Sequence, residues 1–531
     1  MARIGAVTFC LSLAVIPGVI GYVPTDLPLD TPQKAGLAVA VGDVFPFEND
    51  LKKGSQWSPY AAAFGDGTLA VALLTSALDD PSRQRTVVCF FNTDNTVTEA
   101  DGHFDDSGHP WSSDNNTLRN DGNPPRIAAD KRPGGTRYAI GSEATPWGFP
   151  SRFPSFGKPG NFTYDERVVC VQLMDKKGTE DHPVPVPVGR LIDPIYGHDT
   201  SGKKQNGKQL RSGFEIRALS DGNFAVTVDD RTENFSPGRV QLVSILNQEN
   251  GEVAIGPFSG NPVAPQGETH GWSNLAAWKG GFAYRPQRDV RNPPRPGDNT
   301  IGFWDNQGNL QGTWERVVRD DVADPLPPAN GKSTSIVDWG GASTRIDSDI
   351  HSDFIYLAGT GPEPPELGGG QSRGVYVTKI DARTRSTVKE AYASEGLRVR
   401  GAQWIEPFPP ALLIRVAVCC DNSDSVFVCW EDYSSTGPGH PQVVGRLYDG
   451  NLDPVTGAFL VFQNSELGPG VRTGFDARCP TCAMVGGRIL VAAQTESAVP
   501  KLGLTSNQVV ATVLDFQQPP RKSREWQMYW P

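Results

Sequence analysis

The chain has 531 residues, with 49 Lys or Arg against 60 Asp or Glu and a formal net charge of −11. That balance, with no basic run longer than Lys203-Lys204, excludes the cationic face that a phosphate backbone needs, so nucleic acid is not an expected partner. Gly (58) and Pro (45) make up almost a fifth of the chain beside 38% hydrophobic residues, a composition too apolar for disorder and suited to short strands joined by turns.

The N-terminus opens with Met1-Ala2-Arg3, continues through the apolar run Ile4 to Ile16, and reaches Pro17-Gly18 and Val19-Ile20-Gly21. These are the charged, apolar and small-residue zones of a secretory signal, which predicts a signal peptide over 1–21 and a secreted, extracellular mature chain over 22–531. An uncleaved anchor is the alternative, since apolar character persists to Val23, although Pro17 and Gly18 interrupt it. No second apolar segment of membrane length follows, so the mature chain is expected to lack a transmembrane segment.

From there a strand motif recurs seven times: Thr86-Val87-Val88-Cys89-Phe90-Phe91, Arg167 to Val171, Arg239 to Val243, Thr300 to Trp304, Gly374 to Val377, Gln442 to Leu447 and Gln508 to Leu514. Upstream of each copy lies another strand, usually entered through a glycine turn, as in Asp66-Gly67-Thr68-Leu69, Asp221-Gly222-Asn223-Phe224 and Gly486-Gly487-Arg488-Ile489. Asp-Gly and Gly-Gly supply the positive φ angles of tight hairpins. Before that strand comes a small-residue segment, such as Tyr60-Ala61-Ala62-Ala63, Arg126-Ile127-Ala128-Ala129 or Asn274-Leu275-Ala276-Ala277, fit for the crowded wall of a central channel. A fourth strand follows the motif, for example Glu252 to Ile255 or Ala458 to Phe462.

Four antiparallel strands per unit, repeated seven times, resemble the generic repeat of the β-propeller superfamily. The resemblance implies an all-β, seven-bladed β-propeller of four-stranded antiparallel blades; a six- or eight-bladed ring and a two-sandwich protein are the alternatives. Blades are expected near 52–102, 123–182, 212–261, 270–315, 335–394, 396–467 and 472–515. The last unit lacks a clear fourth strand, and Asp43 to Asn49 resembles Leu460 to Asn464, so a strand at 42–49 is expected to complete it and close the ring. Neither the Trp-Asp endings of WD40 blades nor the paired glycines of kelch repeats recur in every unit. The segment Asn306 to Trp314 resembles the aspartate box of sialidases in composition but not in spacing.

Blade topology sends the first-to-second and third-to-fourth turns to one face and the remaining connections to the other. The second kind is long here (101–125, 143–166, 182–212, 312–338), which places binding or catalysis on that face. His103, His109, His182, His198, His270 and His440 fall in those connections, with Trp111, Trp147, Trp272 and Trp314; they either pin loops to the ring or stack and hydrogen-bond a sugar. Asp229, Asp230, Arg231, Arg285, Arg288, Asp289, Arg291, Glu431 and Asp432 follow second strands and are expected to rim the channel mouth, as an ionic frame or as acid and base for a glycoside. The candidate ligand-binding set is therefore His109, Trp111, Trp147, His198, Asp230, Arg231, His270, Trp272, Arg285, Arg288, Glu431 and Asp432.

No His-x-x-x-His, calcium loop or nucleophile elbow occurs, so neither a metal nor a cofactor is expected and no catalytic residue is assigned. Sequons at Asn115, Asn161 and Asn234 would carry glycans on the long-loop face. Cys89 and Cys170 occupy equivalent strand positions in successive units and read as small buried hydrophobes, whereas Cys479–Cys482 and Cys419 or Cys420 with Cys429 are candidate disulfides. The leading expectation is a secreted propeller that binds carbohydrate or a cell-surface glycoprotein through the long-loop face. A propeller enzyme acting on glycans, sialidase-like, with carboxylates at the channel mouth is the second, and a protein-interaction scaffold the third.

Overall fold

The computed structural model describes residues 29–44, 56–76, 84–100, 125–144, 168–177, 186–189, 192–193, 198–199, 211–230, 240–260, 274–285, 300–315, 344–362, 373–394, 415–432, 442–462, 477–495 and 509–516. They form seven antiparallel sheets in chain order. The innermost strands are Gln56–Ala63, Arg126–Ala129, Arg211–Ala218, Asn274–Trp278, Thr344–Ser348, Val416–Cys420 and Ala477–Val485 for blades 1 to 7. Each packs on the next around the ring, and that of blade 7 packs on that of blade 1. The protein is a seven-bladed β-propeller.

The repeated motif forms the third strand of every blade, from Gln84–Phe91 in blade 1 to Val509–Asp515 in blade 7. It is buried almost throughout because blade neighbours cover it on both faces, which is why it reads as a continuous apolar run instead of an alternating one. The first-to-second hairpins owe their tightness to aspartate: Asp66, Asp221 and Asp421 each accept the N–H two residues on, at 3.0–3.1 Å. Gly67 and Gly222 supply φ of 91° and 93° in the first two of these turns.

Seven apolar clusters hold the ring, one at each blade interface. Between blades 1 and 2, for example, Phe64, Phe90 and Tyr138 meet with ring centroids 5.7–6.0 Å apart. Burying each such side chain stabilises the ring by about 2 kcal/mol. Because the core is divided among seven seams, no single blade has a core of its own.

Blade 2 departs from the common plan. Its fourth position is shared by Val186–Pro187 and Ile192–Asp193, both paired to Val168–Asp175, and His198–Asp199 adds a further short strand on Ile192–Asp193.

The ring closes through the N-terminal segment, five residues earlier than the resemblance of Asp43 to Asn49 suggests. Ala38–Val44 pairs antiparallel with Val509–Asp515, while 45–49 lie outside the described residues. Two register shifts let Val39 pack into the blade 6–7 cluster and Val41 into the blade 7–1 cluster, so this strand seals both seams of the last blade. Just upstream, Asp30 bridges Phe459 in parallel and its carbonyl accepts the Leu460 N–H at 2.9 Å.

The expected disulfides are corrected. Cys419, Cys420, Cys429 and Cys482 are free and buried, as is Cys89. Cys419 and Cys420 are consecutive on a strand and face opposite ways, so Cys420 turns its thiol to Asp347 at 3.8 Å while Cys419 faces blade 7. Cys482 points into that same cluster as a free thiol.

A candidate anion-binding site at the channel mouth

The channel wall is built from the innermost strands, whose alanines (Ala61, Ala62, Ala63, Ala128, Ala277, Ala417) let seven chains converge. They enclose a cavity of about 160 Å³, lined on its polar side by Tyr60, Lys131, Arg217, Arg345, Asp347 and Arg415. Arg345 and Arg415 stand at the ends at which their strands enter the ring, Tyr60 and Arg217 lie further along theirs, and Lys131 follows its strand at the other end.

β-Bulges aim several of them. The pairing register shifts between Trp57 and Tyr60 in blade 1, between Ser212 and Glu215 in blade 3, and between Arg478 and Thr481 in blade 7. Tyr60 and Thr481 line the cavity and Glu215 lies directly behind Tyr60, which is how a bulge redirects a side chain without disturbing the strand beyond it. Thr481 Oγ1 accepts the Ala61 N–H at 3.0 Å and so tethers blade 7 to blade 1 beside Tyr60.

The centre of the site is Glu215, only 1% exposed. Its Oε1 accepts the Tyr60 hydroxyl and Arg217 Nη1 (2.6 Å), and its Oε2 accepts Arg126 Nε at 3.2 Å. Arg217 Nη1 also donates to Tyr60 Oη at 2.8 Å, and the Arg126 guanidinium stacks 4.7 Å from the Tyr60 ring centroid. Glu215 and Arg217 are two residues apart and share one strand face, as do Arg345 and Asp347. Asp347 lies 4.0 Å from Arg217 Nε and accepts the Cys420 N–H at 3.2 Å, and Lys131 pairs with Asp349 at 3.7 Å deeper in the channel.

Cations crowd this mouth despite the chain's net negative charge. Arg126, Arg217, Arg345 and Arg415 come from blades 2, 3, 5 and 6. Burial and the nearby Arg126 and Arg415 guanidinium groups push Arg345 below the ordinary arginine range. Behind it, burial and Arg345 push Arg285 down to about 10. Burial, opposed by Arg217 and aided by Glu215, pushes the Tyr60 phenol up to about 12, so it stays protonated and donates to Glu215 across the neutral range. Mutual repulsion among guanidinium groups, which Glu215 and Asp347 offset in part, would be relieved further by an anion placed between them, so the cavity is a candidate site for negative charge.

Three residues of the sequence-derived set have described side chains, and all are buried one strand behind the cavity. Arg285 (1% exposed) ends the second strand of blade 4 opposite Asn274, whose Oδ1 accepts Arg345 Nη1 at 3.3 Å. Glu431 (1%) accepts the Arg415 N–H at 3.3 Å, and Asp432 (0%) pairs in register with Gln442. Asp230 ends the second strand of blade 3, and His198 lies in the added short strand of blade 2. His109, Trp111, Trp147, Arg231, His270, Trp272, Arg288 and the sequons at Asn115, Asn161 and Asn234 lie outside the described residues.

Sequence reasoning missed Tyr60, Glu215, Arg217, Arg345, Asp347 and Arg415. One signal was available: a polar residue heads the small-residue strand in successive units, as in Arg126-Ile-Ala-Ala, Glu215-Ile-Arg217-Ala, Asn274-Leu-Ala-Ala, Arg345-Ile-Asp347 and Arg415-Val-Ala. Small residues mark the channel wall, so the charges that precede them mark its mouth.

No family model matches the chain, and no curated protein matches it. Among solved structures, the polysaccharide lyase Uly1 aligns over 85% of this chain and 88% of its own at 11% identity, with a TM-score of 0.40. The β-propeller domain of the Trilobed protease from Pyrococcus furiosus aligns over 88% and 96% at 10% identity (TM-score 0.39). The Trypanosoma rangeli sialidase bound to the inhibitor DANA aligns over 90% of this chain but 58% of its own, at 9% identity and a TM-score of 0.36.

Proposed function

We propose that the channel mouth binds an acidic carbohydrate, a sugar bearing a carboxylate. The observation that supports this reading most directly is the convergence of Arg217, Arg345 and Arg415 on one cavity beside the ring of Tyr60. Guanidinium groups match a carboxylate in planar, bidentate geometry, and a phenol ring offers a pyranose an apolar face with a polar tip. A volume near 160 Å³ suits one sugar ring, the rest of a glycan projecting toward the long-loop face. An extracellular setting, with the signal peptide over 1–21, forms part of the same proposal.

A second reading, hydrolysis of that same ligand, is favoured by one specific contact. The Tyr60 hydroxyl donates to Glu215, a buried carboxylate fixed by two arginines, which is the relation of a nucleophile to its general base. Glu215 would take the phenolic proton as the Tyr60 oxygen displaces the aglycone oxygen from the anomeric carbon, the aglycone leaving with a proton from water. A second water would then displace Tyr60 from that carbon, giving one proton to solvent while Glu215 returns its own to the phenol.

The test is a screen of the full chain against neutral glycans and glycans ending in carboxylated sugars, with each binder checked for cleavage. Selective retention of the carboxylated set supports the binding reading, and release of the terminal sugar supports the second. Equal silence on both sets sinks both.

A further inference from the structure

Three free thiols meet at the seam between blades 6 and 7. Cys419 comes from the inner strand Val416–Cys420, Cys429 from the second strand Val426–Asp432, and Cys482 from the inner strand Ala477–Val485. All belong to one apolar cluster, 1%, 0% and 9% exposed respectively. All three pack in that cluster, and Cys482 alone of the three lines the channel cavity. Cys482 therefore shares a wall of the anion cavity, whereas Cys419 and Cys429 lie behind it in the apolar seam.

We propose that Cys419 and Cys482 are an oxidisable pair that closes into a disulfide stapling blade 6 to blade 7. Cys482 is the entry point because a small oxidant reaches it through the cavity. Cys419 is its partner because the two inner strands run against each other, whereas Cys419 and Cys429 sit on paired strands of one blade, two residues out of register. The stoichiometry is that of thiol exchange with a small-molecule disulfide. Cys482 Sγ attacks one sulfur and releases one thiol; Cys419 Sγ then attacks the Cys482 sulfur of the mixed disulfide and releases the second. Two cysteines lose two electrons and two protons, and the added disulfide becomes two thiols. Burial pushes both cysteine thiols above their ordinary range, so closure is slow at neutral pH and faster under mildly alkaline conditions.

The seam matters because it is the one that Leu37 and Val39 of the closing segment also seal. A staple there would lock the inner edge of a joint whose outer edge is held by non-covalent pairing alone.

The experiment uses the full reduced chain treated with 2-hydroxyethyl disulfide, which is compact enough to enter the cavity, at mildly alkaline pH, then blocked, denatured and digested. Cleavage before Asp421 separates Cys419 from Cys429, and fragment ions assign the sulfur. The expected result is a Cys419–Cys482 linked peptide and a melting temperature raised by about 5 °C, reversed by reductant. Cys429→Ser retains the link and the shift; Cys482→Ser abolishes both. Recovery of Cys419 and Cys482 as blocked thiols, or a link from Cys482 to Cys429, overturns the assignment. Neither outcome depends on what the channel mouth binds.

Discussion

The hydroxyl of Tyr60 on blade 1 donates to Oε1 of Glu215 on blade 3, joining across the channel two residues 155 positions apart. Blade 2 supplies the cation that lies against both, since Arg126 stacks on the Tyr60 ring and donates to Glu215 Oε2. Removing the hydroxyl alone separates structure from chemistry. Tyr60→Phe is expected to keep the fold and most of the affinity for a carboxylated glycan, while abolishing any turnover. Calorimetric binding beside a cleavage assay checks this, and full turnover by Tyr60→Phe would remove Tyr60 from the chemistry.

The guanidinium groups of Arg345 and Arg217 share the cavity, and Arg345 is half-buried beside Arg126. Arg345→Ala is expected to weaken binding of a carboxylated glycan about 10- to 100-fold, the loss of one charge-assisted contact. Arg345→Lys should recover only part of it, because an ammonium lacks the planar fork. Affinity of the parent should also fall as salt rises. Unchanged affinity in both variants, measured by titration, would place the anion elsewhere.

Arg126 and Glu215 form a buried ion pair, 3% and 2% exposed at their side chains. Arg126→Met leaves the Glu215 carboxylate buried beside a single remaining arginine and is expected to destabilise the ring by about 3 kcal/mol. The double variant Arg126→Met with Glu215→Met should recover most of that loss, as apolar replacements of buried pairs commonly do. Denaturant midpoints of the parent, both single variants and the double variant measure the coupling. Additive losses would show that the pair contributes little to the fold.

Tyr60 gives a pH dependence with a definite sign. Its phenol is raised from 10.0 to about 12 in the folded chain, so folding favours the protonated form. The stability it contributes is complete below pH 10 and is lost as pH rises toward 12. Tyr60→Phe should therefore differ most from the parent at neutral pH and approach it across that window. A gap that stays constant from pH 9 to pH 12 would mean that the phenol titrates alike in both states.

How far the sequence led can be argued from particular strands. The third strand of each blade was legible because two-sided burial imposes an uninterrupted apolar run, and the first hairpins because Asp66-Gly67 and Asp221-Gly222 have a turn chemistry of their own. The channel wall was legible from its alanines. Its mouth was marked only by the polar residue that heads each alanine strand; which way Tyr60, Glu215 and Thr481 point is set by bulges, and a bulge is a register relation between two strands that leaves no mark on either alone. The rim assigned to Arg285, Glu431 and Asp432 follows from counting along second strands. Those strands end one layer behind the channel, where each residue is buried.

The closing strand offers the last test, and it concerns the whole ring. Leu37 is 3% exposed and packs in the blade 6–7 cluster, and Thr512 Oγ1 donates to the Val41 carbonyl at 2.8 Å. Leu37→Ala removes buried apolar volume and is expected to cost about 3 kcal/mol. Deleting 29–44 should do more, because it strips the outer pairing partner from Val509–Asp515 and leaves an open sheet edge. In a ring each blade is held only by its two neighbours, so the loss should spread to every seam instead of fraying the last blade alone. Calorimetry with hydrogen exchange reads the difference. A lowered, still single transition with protection falling in all seven third strands fits a closed ring, whereas full protection in blades 2 to 5 would mean that the blades are held together without the closing strand.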